Sequence, residues 1–259
     1  MCTTCGCGKT GSKHLHAHEH VHDHPHSHAH DADAVHPHVH PEANLSILKL
    51  EQNLLADNDL HADENRRTAA KHGLTVLNLI SAPGSGKTYL LERTLERLNG
   101  KVSCAVITGD LETDRDARRL ADKGAWVHQI QTHQACHLSA DQVGALLPAI
   151  IAHGARLLFV ENVGNLVCPA AFDLGEHFKV ALLSVTEGED KPLKYPGLFS
   201  LAPVAILTKI DLLPHLAFDM QQARDSMRRI HPGIFIFELS AQTGEGMDAW
   251  IDYLATLTA

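Results

Sequence analysis

An α/β fold, with a mostly parallel sheet and helices on both of its faces, is predicted by three observations. Short apolar runs alternate with helical patterns from residue 74 to the end of the chain. The stretch Ser81-Ala82-Pro83-Gly84-Ser85-Gly86-Lys87-Thr88 falls between the first of those runs and the first helical pattern. The polar motifs fall just past apolar runs, at the carboxyl ends of strands, where open parallel sheets hold their ligands.

The elements follow in order. Leu74–Ile80 reads as a buried strand, and Tyr89–Leu98 as the helix leaving the loop. Further strands are expected at Val102–Thr108, Trp126–Ile130, Leu157–Glu161, Val180–Val185, Pro203–Leu207 and Ile234–Glu238. Helices are expected at Ala117–Lys123, Asp141–His153, Phe218–His231 and Gly246–Leu257. Upstream, Leu45, Leu48, Leu54 and Leu55 recur at roughly helical spacing, so residues 45–72 read as a helical segment before a main domain at 73–259. Residues 1–44 read as a disordered, metal-binding tail. Cys2, Cys5 and Cys7 crowd its start, and 14–40 alternates His with residues too small or polar to bury one face of a strand.

A chain of 259 residues holds one α/β domain and a sizeable tail. Its formal charge of -9, with no Lys/Arg block, argues against a nucleic-acid surface. No apolar run approaches a membrane span, and the start lacks a basic-then-apolar signal segment, so a cytoplasmic location is expected. In that compartment six cysteines read as thiols or metal ligands, not as a disulfide framework.

Strand, glycine loop and helix together make a phosphate cradle, the mark of a P-loop NTPase. Loop amides, including those at Gly84, Ser85 and Gly86, and the helix N-terminus face phosphate oxygens. Lys87 adds positive charge, and the Thr88 hydroxyl can hold Mg²⁺. Ser81 stands where the usual pattern has its first glycine. Downstream, Thr208-Lys209-Ile210-Asp211 resembles the guanine-recognition motif of GTPases, with Thr208 in place of Asn. The Asp211 carboxylate can accept from the ring N–H and the exocyclic amine of guanine, a pair adenine does not offer. Lys209 can lie along the base and brace the loop. Ser240-Ala241 resembles the element that closes over guanine through backbone amides, and the ordered set favours GTP over ATP.

Two acidic positions suit Mg²⁺ and water positioning. Asp110 opens GDLETDRDA after its strand, with capping of the following helix as the lesser alternative. Glu161 follows four apolar residues and begins ENVG, similar to a switch DxxG with Glu for Asp. Cys136, His137 and Cys168 form a second group: two thiolates and an imidazole suit Zn²⁺ or Ni²⁺ and leave a position open for exchange or for a second subunit. Cys104, inside a strand pattern, reads as a small buried apolar residue, and His128 and His133 as ordinary histidines. Cys2, Cys5 and Cys7, beside the α-amine, can wrap one ion in a square-planar set that fits Ni²⁺. A zinc knuckle competes, but no second CxxC follows. The His tract can hold several weakly bound ions.

Taken together, MCxxCGC, the His-rich tract, the phosphate loop, GDLETDRDA, the Cys-His pair, ENVGNLVCP, GEDKPLKYP and the TKIDLLP and SAxTGEG endings resemble the HypB family of hydrogenase nickel-incorporation GTPases. The resemblance implies a GTP-dependent homodimer of the nickel-insertion and nitrogenase-iron-protein GTPase class. It implies delivery of Ni²⁺ to the large subunit of a [NiFe] hydrogenase, alongside the metallochaperone HypA. By motif it implies that Lys87 and Thr88 bind phosphate and Mg²⁺ and that Asp110 and Glu161 belong to switch segments. Lys209 and Asp211 would hold guanine, Cys136, His137 and Cys168 a nucleotide-linked metal site, and Cys2, Cys5 and Cys7 a tighter terminal one. The rival readings are a urease-type nickel-insertion GTPase, against which the terminal CxxCGC and ENVGNLVCP speak, and a nickel storage protein with incidental GTPase activity.

Overall fold

The computed structural model describes the backbone of residues 41–110, 115–132 and 135–258, and within that set the side chains from residue 52 onward, except those at 110 and 115. The expectations for Cys2, Cys5, Cys7, the His tract and His133 lie outside the described residues. The elements run α1 (Pro41–Lys71), β1 (Thr75–Ser81), α2 (Lys87–Leu98), β2 (Cys104–Asp110), α3 (Arg115–Ala121), β3 (Trp126–Gln131), α4 (Ala140–Gly144), α5 (Leu147–Ala152) and β4 (Leu157–Glu161). They continue with α6 (Cys168–Ala171), β5 (Phe178–Ser184), α7 (Lys191–Lys194), α8 (Pro196–Leu201), β6 (Val204–Thr208), a 3₁₀ turn at Ile210–His215, α9 (Met220–Ile230), β7 (Phe235–Leu239) and α10 (Met247–Thr256).

All seven strands pair in parallel, in the order β3-β2-β4-β1-β5-β6-β7. Side chains alternate faces along each strand, which sorts the core into layers. Leu77, Leu79, Phe159, Leu182 and Ile206 meet α2 and α10 through Leu91, Leu95, Trp250 and Leu254. On the opposite face Val76, Ile107 and Val160 meet Ala69, Val143 and Ile150, while Leu183 and Leu207 meet Leu198, Phe199 and Met227. Because every strand points the same way, Ser81, Asp110, Glu161, Ser184 and Thr208 all end on one edge.

The seven strands fall where the apolar runs predict them, within one or two residues. The helix expected over Asp141–His153 is instead two, α4 and α5. Pro148, at the start of α5, has no N–H to continue the earlier turn, and its ring clashes with the carbonyl four residues back.

The contacts divide the chain into Met1–Gln52 and Asn53–Ala259, so residues 53–71 of α1 belong to the unit that contains the sheet. Two nearly buried asparagines show how. Asn58 accepts from the Ala140 amide (2.9 Å) and donates to Asp173 O (2.7 Å). Asn65 donates to Ala140 O (2.7 Å) and Leu174 O (3.0 Å). Buried carbonyls without a donor are costly, so Asn65→Ala should lower the unfolding free energy by about 1–3 kcal/mol in urea denaturation. An unchanged midpoint would remove α1 from the support of these loops.

Candidate nucleotide and metal site

The phosphate loop turns sharply out of β1 at two left-handed positions, Gly84 (φ 76) and Gly86 (φ 94), which a Cβ would strain. Gly86 is the N-cap of α2, so the first amides of that helix face the loop. Ser81, the departure from the glycine pattern, is fully buried and receives the Lys87 ammonium on its Oγ at 2.9 Å. Burial depresses the Lys87 pKa, an effect the nearby Glu161 carboxylate partly opposes.

Glu161, at the end of β4, is 4 % exposed. Its Oε1 accepts from Thr88 Oγ1 at 2.6 Å, and its Oε2 is buried with no hydrogen-bond partner among the described residues. Desolvation raises its pKa to about 7 against the attraction of Lys87 and the Thr88 hydrogen bond. A buried acid with one unsatisfied oxygen, beside a threonine hydroxyl at a phosphate cradle, suits a divalent cation such as Mg²⁺. Asp110 ends β2 on the same edge, in the strand next to β4, where Thr108 pairs with Glu161. Its side chain and residues 111–114 lie outside the described set.

Two adjoining cavities meet over the loop. One, about 490 Å³, is lined by Gly84, Lys87, Thr88, Asp116, Glu161 and Gly164 among others. The other, about 240 Å³, is lined by residues including Ser85, Thr208, Asp211, Leu239 and Ala241. Gly86, Tyr89 and Lys209 border both, so a nucleotide can lay its phosphates in the first and its base in the second. The base wall is tied to the loop twice. Thr208 Oγ1 donates to Ser85 O (2.8 Å), and Lys209, itself at φ 62, donates through Nζ to Gly84 O (2.6 Å).

Ser240 Oγ donates to Asp211 Oδ1, orienting the carboxylate. One expectation is corrected here. The Ser240 amide is bonded to Glu245 O (2.9 Å) because the turn after β7 closes on itself, so it does not face a base. Ser240 acts on Asp211 through its hydroxyl, while Ala241 lines the cavity.

Cys136, His137 and Cys168 come together with their ligand atoms all within 4.8 Å of one another. They arrive from two directions: the Cys-His pair from the loop after β3, and Cys168 from the first position of α6, where Pro169 fixes the turn. The His137 ring stacks on Phe172 at 3.7 Å between centroids, and burial lowers its pKa, favouring the neutral imidazole that ligates metals. Cys104, by contrast, is buried in β2 with its thiol pushed up to about 12, as its strand position suggested. His128 is exposed beside Trp126.

Several contributors have no counterpart in the expectations. Glu187 accepts from Ser85 Oγ (2.6 Å) and the Ser184 amide (3.0 Å) and pairs with Lys191 (2.9 Å), gripping the phosphate loop from behind. An acid three residues past a strand end was the available signal. Asp116 and Arg119 of α3 line the phosphate cavity, and Arg119 also lies over the Tyr89 ring at 5.7 Å. Asn162, next to Glu161, is 1 % exposed and bonded on both sides of its amide.

Comparison with known proteins agrees with this arrangement. The family model for the CobW/HypB/UreG nucleotide-binding domain matches residues 75–238. The hydrogenase maturation factor HypB of Azotobacter vinelandii is 52 % identical over 208 residues, which cover 80 % of this chain and 69 % of that one. A crystal structure of the hydrogenase maturation factor HypB from Archaeoglobus fulgidus superposes with a TM-score of 0.75 at 36 % identity, covering 79 % of this chain and all (100 %) of the other. The crystal structure of HypB from Helicobacter pylori in complex with nickel gives 0.73 at 38 % identity, covering 77 % and 94 %. Sequence, sheet order and cleft thus converge: the chain belongs to the HypB family of hydrogenase maturation factors, built on a CobW/HypB/UreG nucleotide-binding domain.

Proposed function

We propose that this chain is a GTPase that binds Ni²⁺ as cargo at Cys136, His137 and Cys168 and passes it to the large subunit of a [NiFe] hydrogenase. One observation carries the reading. The three metal donors gather within 4.8 Å, and one of them, Cys168, sits seven residues along from Glu161, which grips Thr88 of the phosphate loop. A shift of that segment with nucleotide state moves a metal ligand.

Lys87 and the loop amides would hold the phosphates, Asp211 and Lys209 the guanine, and Thr88 with Asp110 the Mg²⁺, which neutralises charge on the transferred phosphoryl group. Glu161, beside that position, would orient the reacting end of the nucleotide. Three donors from one chain leave a fourth position for a leaving ligand or for a GTP-bound second copy, and the same donors accept Zn²⁺. Cys2, Cys5 and Cys7 would form a separate, tighter nickel site and the His tract a reserve, with HypA as the neighbouring metallochaperone and the cytoplasm as the setting.

The test loads the full-length protein with Ni²⁺ and mixes it with apo large subunit. Transfer should be faster with GTP than with a non-hydrolysable analogue and should fail in Cys168→Ala. Transfer indifferent to nucleotide would instead favour storage.

A further inference from the structure

Glu161 and Cys168 share a segment, but His137 belongs to another loop, and the chain alone does not join it to the nucleotide. Asn162 does. Its Oδ1 accepts from the Leu138 amide at 3.2 Å and from its own neighbour Val163 at 3.0 Å, and its Nδ2 donates to Asn78 Oδ1 at 3.2 Å. Leu138 directly follows His137 and is fully buried. From its other side Leu138 meets Gly109, the residue before Asp110: a Cβ there would stand 2.9 Å from Leu138 Cγ. The ends of β2 and β4, which carry Asp110 and Glu161, therefore both bear on the residue next to a metal ligand. Two residues further, Ala140 is anchored by Asn58 and Asn65, so movement imposed at Leu138 is taken up towards His137.

We propose that Asn162 is a positioning residue that transmits nucleotide-dependent movement of the β4 end, through the Leu138 amide, to His137. In this way both arms of the metal site, not the Cys168 arm alone, answer to the nucleotide. The assignment rests on the coupled GTP–nickel reading above. Asn162 borders the phosphate cavity, but its side-chain amide is taken up by Leu138, Val163 and Asn78, so truncating that side chain should separate the two binding events while leaving each in place.

The test uses the full chain with Cys2, Cys5 and Cys7 changed to Ala in every arm, so that thiolate–Ni²⁺ absorption reports Cys136 and Cys168. Ni²⁺ is titrated with and without a non-hydrolysable GTP analogue, and the ratio of the two affinities is the coupling factor, on the order of 5–150-fold in coupled systems. Asn162→Ala should bring that factor to within about twofold of unity, while Ni²⁺ affinity without nucleotide stays within about threefold. Asn78→Ala removes a different bond of the same buried amide and should retain the coupling. A retained factor in Asn162→Ala overturns the proposal, as does equal loss in Asn78→Ala, which would mean general loosening. If Asn162→Ala does not fold, as judged by its melting transition, Gly109→Ala decides: it presses on Leu138 from β2, and an unaltered factor overturns the proposal. No coupling in the parent protein would overturn the underlying reading and this assignment with it; coupling in the parent that survives Asn162→Ala overturns the assignment alone.

Discussion

Asp211→Asn is expected to turn the base preference from guanine to xanthine, with GTP affinity falling roughly a hundredfold or more and XTP rising above it. The geometry says why the exchange should be clean. Ser240 Oγ donates to Asp211 Oδ1, so in the variant the amide oxygen keeps that place and the new NH₂ faces the base cavity. There it meets the guanine amine as a second donor, leaving both unsatisfied, but pairs with the carbonyl that replaces that amine in xanthine. Lys209 and Thr208 still tie the wall to the phosphate loop, so the fold of the cavity should hold. Competition binding between GTP and XTP reads the result directly. An unchanged preference would take Asp211 out of the base site.

Glu161→Gln should stop GTP hydrolysis and, without nucleotide, make the protein more stable above neutral pH. The folded protein raises this carboxyl from 4.5 to about 7, so it binds the proton more tightly than the unfolded chain does. The stability it contributes is full below pH 4.5, declines as pH rises, and is gone above about 7, a loss of about 3 kcal/mol. Glutamine has the same shape and no charge to bury, so its unfolding free energy at pH 8 should exceed the native value by up to that amount. The rise to about 7 is already net of the attraction to Lys87, and the gap should narrow towards pH 4.5. Mg²⁺ and GTP should reverse the order, because a cation beside Thr88 rewards the ionised acid. Denaturation of both proteins across pH, with and without Mg²⁺–GTP, checks the sign; a gap that widens on acidification contradicts it.

The fold was legible because strands buried on both faces of a parallel sheet leave continuous apolar runs, and a phosphate loop punctuates the first of them. The split of α4 from α5 is written in Pro148, but helical spacing continues across it and masks the break. The helices α6, α7 and α8 each begin beside a proline and span at most six residues, too few for a periodicity to show. At the site, residues set by local pattern, such as Lys87, Thr88 and Asp211, could be named from the chain. Glu187, Asn162 and Asn65 could not, since the partners that give them their roles are distant along the chain: Ser85 is 102 residues from Glu187, Leu138 is 24 from Asn162, and Ala140 is 75 from Asn65. Buried amides that join loops leave no signature in a single sequence.

The central claim, that one chain couples its nucleotide to its metal, is tested most directly by reciprocal titration. Ni²⁺ affinity is measured with GDP and with a non-hydrolysable GTP analogue, and nucleotide affinity with and without Ni²⁺, in the native chain and in Cys168→Ala. The account predicts that nucleotide changes the affinity of the Cys136, His137 and Cys168 site and that Ni²⁺ changes the relative affinity for the two nucleotides by the same factor, as linkage requires. It predicts that Cys168→Ala binds nucleotide normally and loses the effect in both directions. Equal Ni²⁺ affinity in the two nucleotide states, or coupling that persists in Cys168→Ala, would contradict it.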